Sequence, residues 1–229
     1  MIINNKDTEE FGATLLGYNI ENSEIVNYDD WMDGSFSPIT HRQVFKFSYV
    51  ECNFLFEQNN DDIAEMMISN FIKHSSKAEI KIEDLARTYK GVLDEINKDK
   101  IVKGKFELTL KWKCEYSFKE EPDFILGSRT GSLFVPGNTE TPAIVEITPA
   151  INLIDLNIKG LGEDILIKNL TANKKIIIDG EEGKVTEEGK NKFNDYDSWG
   201  FPYLVPGENT ISMDKDNVEV KIKYKSRWI

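Results

Sequence analysis

In the stretch HRQVFKFSYVECNFLF (41–56), Phe45, Phe47 and Tyr49 fall on odd positions, while Val50, Cys52, Phe54 and Phe56 fall on even ones. Side chains alternate faces along a strand, so this run predicts a β-strand whose apolar face changes parity, either through a bulge near Tyr49–Val50 or because both faces are buried. A closed, curved sheet would suit either case. The same period of two recurs in IVKGKFELTLKWKCEYSF, where Phe106, Leu108, Leu110, Trp112, Cys114, Tyr116 and Phe118 alternate with polar residues; this is the clearest strand in the chain. FGATLLGYNIENSEIVNY (11–28) predicts one or two further strands, and KAEIKIEDL and RTYKGVLDEI two more.

NNDDIAEMMISNFIKHS (59–75) is the one convincing helix, although Leu85, Thr88, Tyr89 and Val92 around RTYKGVLDEI also fit a period of 3.6. Asn60 is placed to cap it, Asp61 and Asp62 face the positive end of the helix dipole, and Lys73 and His74 face the other end. Ile63, Ala64, Met67, Ile68, Phe71 and Ile72 form one apolar face, which requires a sheet to lie on. Between the early strands, DDWMDGSFSPI (29–39) predicts a long loop with Trp31, Met32 and Phe36 among Asp, Gly, Ser and Pro. Apolar residues in such a loop pack on a partner or back on their own domain, so these three are candidate partner contacts.

Residues 119–141 break the periodicity with Pro122, Gly127, Gly131, Pro136 and Gly137, and predict a crossing between domains with the boundary near Leu126. Beyond it, PAIVEITPA, NLIDLNIKGL, EDILIKNLT, KKIIIDG and VEVKIKYKSRWI are short strands spaced by turn residues, the signature of a sandwich or jelly roll. The predicted fold is therefore mainly β: a curved, barrel-like sheet with one helix over residues 1–126, and a β-sandwich over 127–229.

Charge narrows the functions. The 229 residues carry 28 basic and 40 acidic side chains, a formal charge of −12, with 15 and 22 of these in residues 1–120 and 13 and 18 in the remainder. An acidic surface spread along the chain disfavours nucleic acid and anionic membranes as direct ligands. Cys52 and Cys114 each sit inside an alternating apolar run, which predicts buried thiols rather than a disulfide framework. The N-terminal segment has no basic start followed by an apolar core, and no run of 18 apolar residues occurs, so synthesis in the cytoplasm is expected.

The densest acidic stretch, IIIDGEEGKVTEEGKNKF (176–193), lacks the spacing of a calcium loop or of a paired-carboxylate site. It reads as a hairpin with a solvated tip, in which Gly180 and Gly183 are the positions expected to need positive φ. Asp214, Asp216 and Asn217 could offer oxygen ligands to a hard cation, but a charged turn entering the last strand explains them as well. His41 and His74 are the only histidines, no cysteine pair has zinc spacing, and no nucleophile has a recognisable setting. GSRTGS (127–132) lacks the order of a phosphate loop and reads as linker. In DYDSWGFPYLVPGENT, Tyr196, Trp199, Phe201 and Tyr203 either close the core or offer a platform to a sugar ring; Tyr196, Trp199 and Tyr203 are the candidate glycan contacts.

The order and spacing of PGNTETPAIVEI, DILIKNLT, IIIDGEEGKVTEEGKNKFND, FPYLVPGENTI and VKIKYKSRWI closely resemble the C-terminal half of the distal tail proteins of bacteriophages and phage-derived tails. The N-terminal half resembles the same family through KDTEEFGATLLGYNI, the loop with GSFSP, the helix DDIAEMMISNFI and the strands RTYKGVL and GKFELTLKWKCEYSF. The resemblance implies a structural virion protein without enzymatic activity or cofactor. Its N-terminal domain would assemble into a homo-hexameric ring that continues the tail tube, and its galectin-like C-terminal sandwich would project outward. The implied partners are the tail tube protein, the tail hub or tail-associated lysin and receptor-binding proteins, at the tail tip of a virion made in the bacterial cytoplasm. The alternative is a carbohydrate-binding module for host cell-wall glycan; a wall hydrolase would need an acid/base pair or zinc, and no such set is visible.

Overall fold

The computed structural model describes residues 1–229 and divides them into two compact units, Met1–Phe118 with Ile229, and Lys119–Trp228. The division precedes the expected boundary at Leu126. Residues 124–126 are not a free crossing: they form a short strand paired with the last strand of the second unit.

The first unit contains β1 (Ile2–Ile3), β2 (Lys6–Asp7), β3 (Ala13–Glu21), β4 (Ile25–Asp30), β5 (Ile39–Phe45), β6 (Ser48–Glu57), α1 (Asp61–His74), β7 (Lys77–Lys81), β8 (Thr88–Val102) and β9 (Lys105–Glu120). One antiparallel sheet runs in the order β3-β6-β9-β8-β7-β1-β2. Val50, Cys52, Phe54 and Phe56 from β6 and Phe106, Leu108, Leu110 and Trp112 from β9 share its buried face. The strand expected at 41–56 is in fact two, β5 and β6, interrupted at Lys46–Phe47. Its change of parity marks that interruption, and the bulge near the start of the sheet lies instead in β3, between Leu15 and Gly17.

Helix α1 forms where its pattern predicts. The Asn60 side chain accepts a hydrogen bond from Ile63 N at 2.9 Å, closing the first turn. Ala64, Ile68 and Phe71 are buried on the sheet, while Ile63 at the start of the helix is exposed. Phe71 meets Phe54 edge-on at 4.9 Å between ring centroids, and Phe56 and Phe11 at 5.9 and 5.7 Å. The Trp112 indole N–H donates to Ser75 O at 2.8 Å, which ties the middle of β9 to the end of the helix and satisfies a buried donor.

The second unit adds β10 (Phe124–Leu126), β11 (Thr130–Val135), β12 (Thr141–Pro149), β13 (Leu153–Lys159), β14 (Ile165–Leu170), β15 (Ile176–Asp179), β16 (Lys184–Glu187), β17 (Lys190–Asn191), β18 (Tyr196–Asp197), β19 (Tyr203–Leu204), β20 (Gly207–Met213) and β21 (Val218–Trp228). One layer follows the order β17-β16-β15-β12-β21-β10 and the other β11-β20-β13-β14-β18. Alternate residues of both layers, Val145, Ile147, Ile178 and Val220 from the first and Leu156, Ile158, Ile167 and Ile211 from the second, fill the space between them. Most of the segment expected as a linker, including GSRTGS, leads into or belongs to β10 and β11 of this sandwich.

Candidate functional site

The acidic stretch forms a hairpin of β15 and β16 whose carboxylates are engaged locally. Asp179 Oδ1 accepts from the backbone N–H groups of Glu181 and Glu182, both at 2.9 Å, and Gly183 N donates to Asp179 O at 3.0 Å. Glu181 pairs with Arg227 at 2.9 Å, and Glu182 with Lys184 at 2.6 Å. Gly183 has φ +65, as its position in the turn predicts. Gly180 differs: its φ is not positive, and glycine is needed there because a Cβ would lie 2.7 Å from Ala143 O and closer still to Pro202 O. Gly180 N donates to Ala143 O, so the hairpin corner is docked on the start of β12.

The other polar candidates are likewise accounted for by their neighbours. Asp216 pairs with Arg129, and Asp214 accepts from Asn157 N at 2.9 Å and pairs with Lys215, so the turn before β21 is an ion-paired corner. His74 bonds Ile3 O at 2.9 Å and stacks on Phe11, and His41 pairs with Asp30 at 2.8 Å on the surface. Cys52 and Cys114 are buried free thiols, and burial pushes both up to about 12. No three His, Cys, Asp or Glu side chains converge as a metal ion would need. No helix is long and apolar enough to cross a membrane.

The outer face of the β12–β21 layer is laced with ion pairs. Glu146 lies between Lys223 at 2.6 Å and Lys175 at 3.2 Å, and these cations hold its carboxyl below the ordinary carboxylate range. Lys221 pairs with Asp123 beside them. The three aromatics proposed for a sugar are not gathered into one platform. Tyr196 is buried, its ring stacked on Phe201 and its hydroxyl donating to Gly200 O at 2.5 Å. The Tyr203 ring covers Gly162. Trp199 alone stands in solvent, 100% exposed.

The largest apolar exposure lies in the first unit. β4 and β5 pair only with each other, from Ile25 opposite Phe45 to Asp30 opposite Ile39. They continue the β3–β6 hairpin beyond the sheet as a two-stranded arm, roughly 20 Å long at ~3.3 Å per residue. Trp31, Met32 and Phe36 occupy its turn, exposed by 67, 60 and 104%. Ile25, Tyr28, Ile39 and Phe45 along the ribbon are also exposed. The sequence reading found the turn but missed these four. The available signal was the parity change at 45–50, where an apolar run leaves the sheet that gives it meaning.

Residues 136–228 match the family model of the siphovirus-type tail component, C-terminal domain. These residues carry the C-terminal domain of a siphovirus-type tail component.

Solved structures of phage distal tail and baseplate proteins share the fold across both units. The crystal structure of the phage SPP1 Dit protein, described as a paradigm of the hub adsorption apparatus in phages infecting Gram-positive bacteria, has a TM-score of 0.79 at 9% identity, covering 100% of this chain and 98% of that one. A chain of the phage P2 baseplate in its activated conformation with Ca has a TM-score of 0.59 at 12% identity, covering 95% and 92%, and the same baseplate with Sr gives the same values. At such identities the likeness shows the fold. No curated protein matches the sequence. The chain is mainly β throughout, and the tail-component match falls on the sandwich rather than on the arm-bearing sheet.

Proposed function

We propose that this chain is a non-enzymatic ring subunit at the distal end of a phage or prophage tail tube, six copies joining the tube to the tail tip or baseplate. The observation that carries the reading is the tail-component match over residues 136–228 within a chain whose whole length follows the fold of SPP1 Dit. The exposed apolar arm supports it further. A structural ring needs each subunit to present two different surfaces that close on each other, and it needs no chemistry. In this reading the N-terminal domain builds the ring. The tail tube protein and the tail hub or tail-associated lysin are its neighbours, in a virion assembled in the host cytoplasm.

Native mass spectrometry and negative-stain electron microscopy of the purified chain, alone and co-expressed with the tail tube and hub proteins of the same particle, test this. The expected result is a six-fold ring, formed alone at high concentration or on adding a neighbour. A chain that remains monomeric and binds neither neighbour would refute it.

A further inference from the structure

The arm and one edge of the same sheet are complementary in kind. In the arm, Ile25, Tyr28, Trp31, Met32, Phe36 and Ile39 are all exposed, on a two-stranded ribbon that is marginal in water without a surface to lie on. Taking 150–250 Å² for a fully exposed aromatic, these six side chains present roughly 700–800 Å². That is close to the ~800 Å² per partner of a stable, specific interface.

At the other side of the sheet, β8 is paired with β7 only as far as Val92, and from Asp94 to Val102 its sole partner is β9. Nine consecutive residues therefore form an open edge, every one of them exposed. Such an edge displays unpaired backbone donors and acceptors and is ready to accept another strand. It is also apolar in part: Ile96, Ile101 and Val102 are exposed on it. The Lys98–Glu65 and Lys100–Asp61 pairs, at 2.6 and 2.7 Å, hold α1 alongside, where Ile63 and Met66 are exposed in turn.

Building on the ring reading, we propose that the arm of one subunit, residues 25–45, docks on the open β8 edge and the adjoining face of α1 of the next copy. Both halves of the contact lie on one chain and differ from each other, so the association is head-to-tail and can close into a ring in which every arm and every β8 edge is covered. Adding a strand to the edge satisfies the ladder groups of β8, and the arm's aromatic turn fills the apolar surface beside it.

The test uses the full chain and a short bis-maleimide. Cys52 and Cys114 are buried and held protonated, so introduced cysteines are the reactive ones. A Gln43→Cys variant mixed with an Asn97→Cys variant is expected to give a cross-linked dimer. Gln43→Cys mixed with Thr14→Cys, on β3 at the opposite edge of the sheet, is expected to give none. Trp31→Ser with Phe36→Ser is expected to raise the protein concentration needed for assembly at least tenfold while leaving the far-UV circular dichroism unchanged. Rings that form normally without the 43–97 cross-link, or that tolerate the double substitution, would overturn the arm assignment and leave the ring standing. Cross-linking of the arm to a tail tube or hub protein instead of to a second copy would overturn it too. A chain that neither assembles nor cross-links under any condition would overturn both.

Discussion

Gly180→Ala should destabilise the sandwich more than Gly183→Ala, although only Gly183 has a positive φ. At Gly183 the substitution places an ordinary side chain in the left-handed region, at about 1–2 kcal/mol, and its Cβ would meet the Phe201 ring no closer than 3.4 Å. At Gly180 the obstacle is backbone. A Cβ 2.7 Å from Ala143 O and closer still to Pro202 O leaves no flexible group to yield, so the hairpin corner must lift off β12. Overpacking of this kind costs about 1–3 kcal/mol. Lifting the corner also strains the bonds from Gly180 N to Ala143 O and from Ala143 N to Pro202 O, both 2.9 Å, which contribute roughly 0.5–1.5 kcal/mol each. The sum is about 2–6 kcal/mol. Urea unfolding followed by circular dichroism measures it, and amide hydrogen exchange over residues 141–149 and 176–187 shows whether the loss is local to this corner. Glu181→Ala with Glu182→Ala, which leaves the Asp179 turn intact, should unfold with the wild type. A Gly180→Ala protein no less stable than Gly183→Ala would refute the close-approach argument.

Phe71→Ala removes the ring on which Phe11, Phe54 and Phe56 converge and should cost about 3–5 kcal/mol in chemical denaturation, whereas Ile63→Ala on the exposed side of the same helix should change stability by less than about 0.5 kcal/mol. Glu146 titrates below its ordinary value of 4.5 because Lys223 and Lys175 favour its charged form, so its contribution is complete above that value and is lost as pH falls through the lower folded value. Glu146→Gln should therefore lower the urea midpoint near neutral pH, with the difference from wild type disappearing in acid; a constant difference at every pH would exclude a charge effect.

Local pattern reads well where one element decides its own environment. Asn60, the acidic first turn and the apolar face of 63–72 specify α1 without reference to anything distant, and the alternation from Phe106 to Phe118 specifies β9. The sandwich is legible for the same reason, because its short strands bury alternate residues against an opposing layer. Three features escaped because they depend on contacts remote in sequence. The interruption between β5 and β6 is visible only when β6 is known to pair with β3 and β9 while β5 does not. Pro and Gly in 119–137 suggest a linker, yet Phe124–Leu126 finds its partner some 95 residues later in Val220–Ile222. Gly180 signals a turn, but the reason it must be glycine is Pro202 O, which no local rule could supply.

Trp199 decides whether the sandwich also serves as a sugar platform. Its loop is pinned on both sides, by the Tyr196 hydroxyl on Gly200 O and by Ser198 Oγ donating to Asp164 O at 3.0 Å, so the indole is displayed on a fixed support. A saccharide site needs, beside such a ring, polar groups free to bond hydroxyls. Here Asp164 pairs with Lys159 and Asp197 with Lys168, while Tyr196 and Tyr203 are turned into packing. A lone, rigid, exposed Trp fits the anchor of a protein contact, where a single indole can be worth ~2 kcal/mol or more. Titration of the chain with host wall polysaccharide should accordingly give the same negligible heat for the wild type and for Trp199→Ala, with unchanged thermal unfolding of the variant. Saccharide binding that is present in the wild type and abolished by Trp199→Ala would defeat this argument and make the sandwich a glycan-binding module.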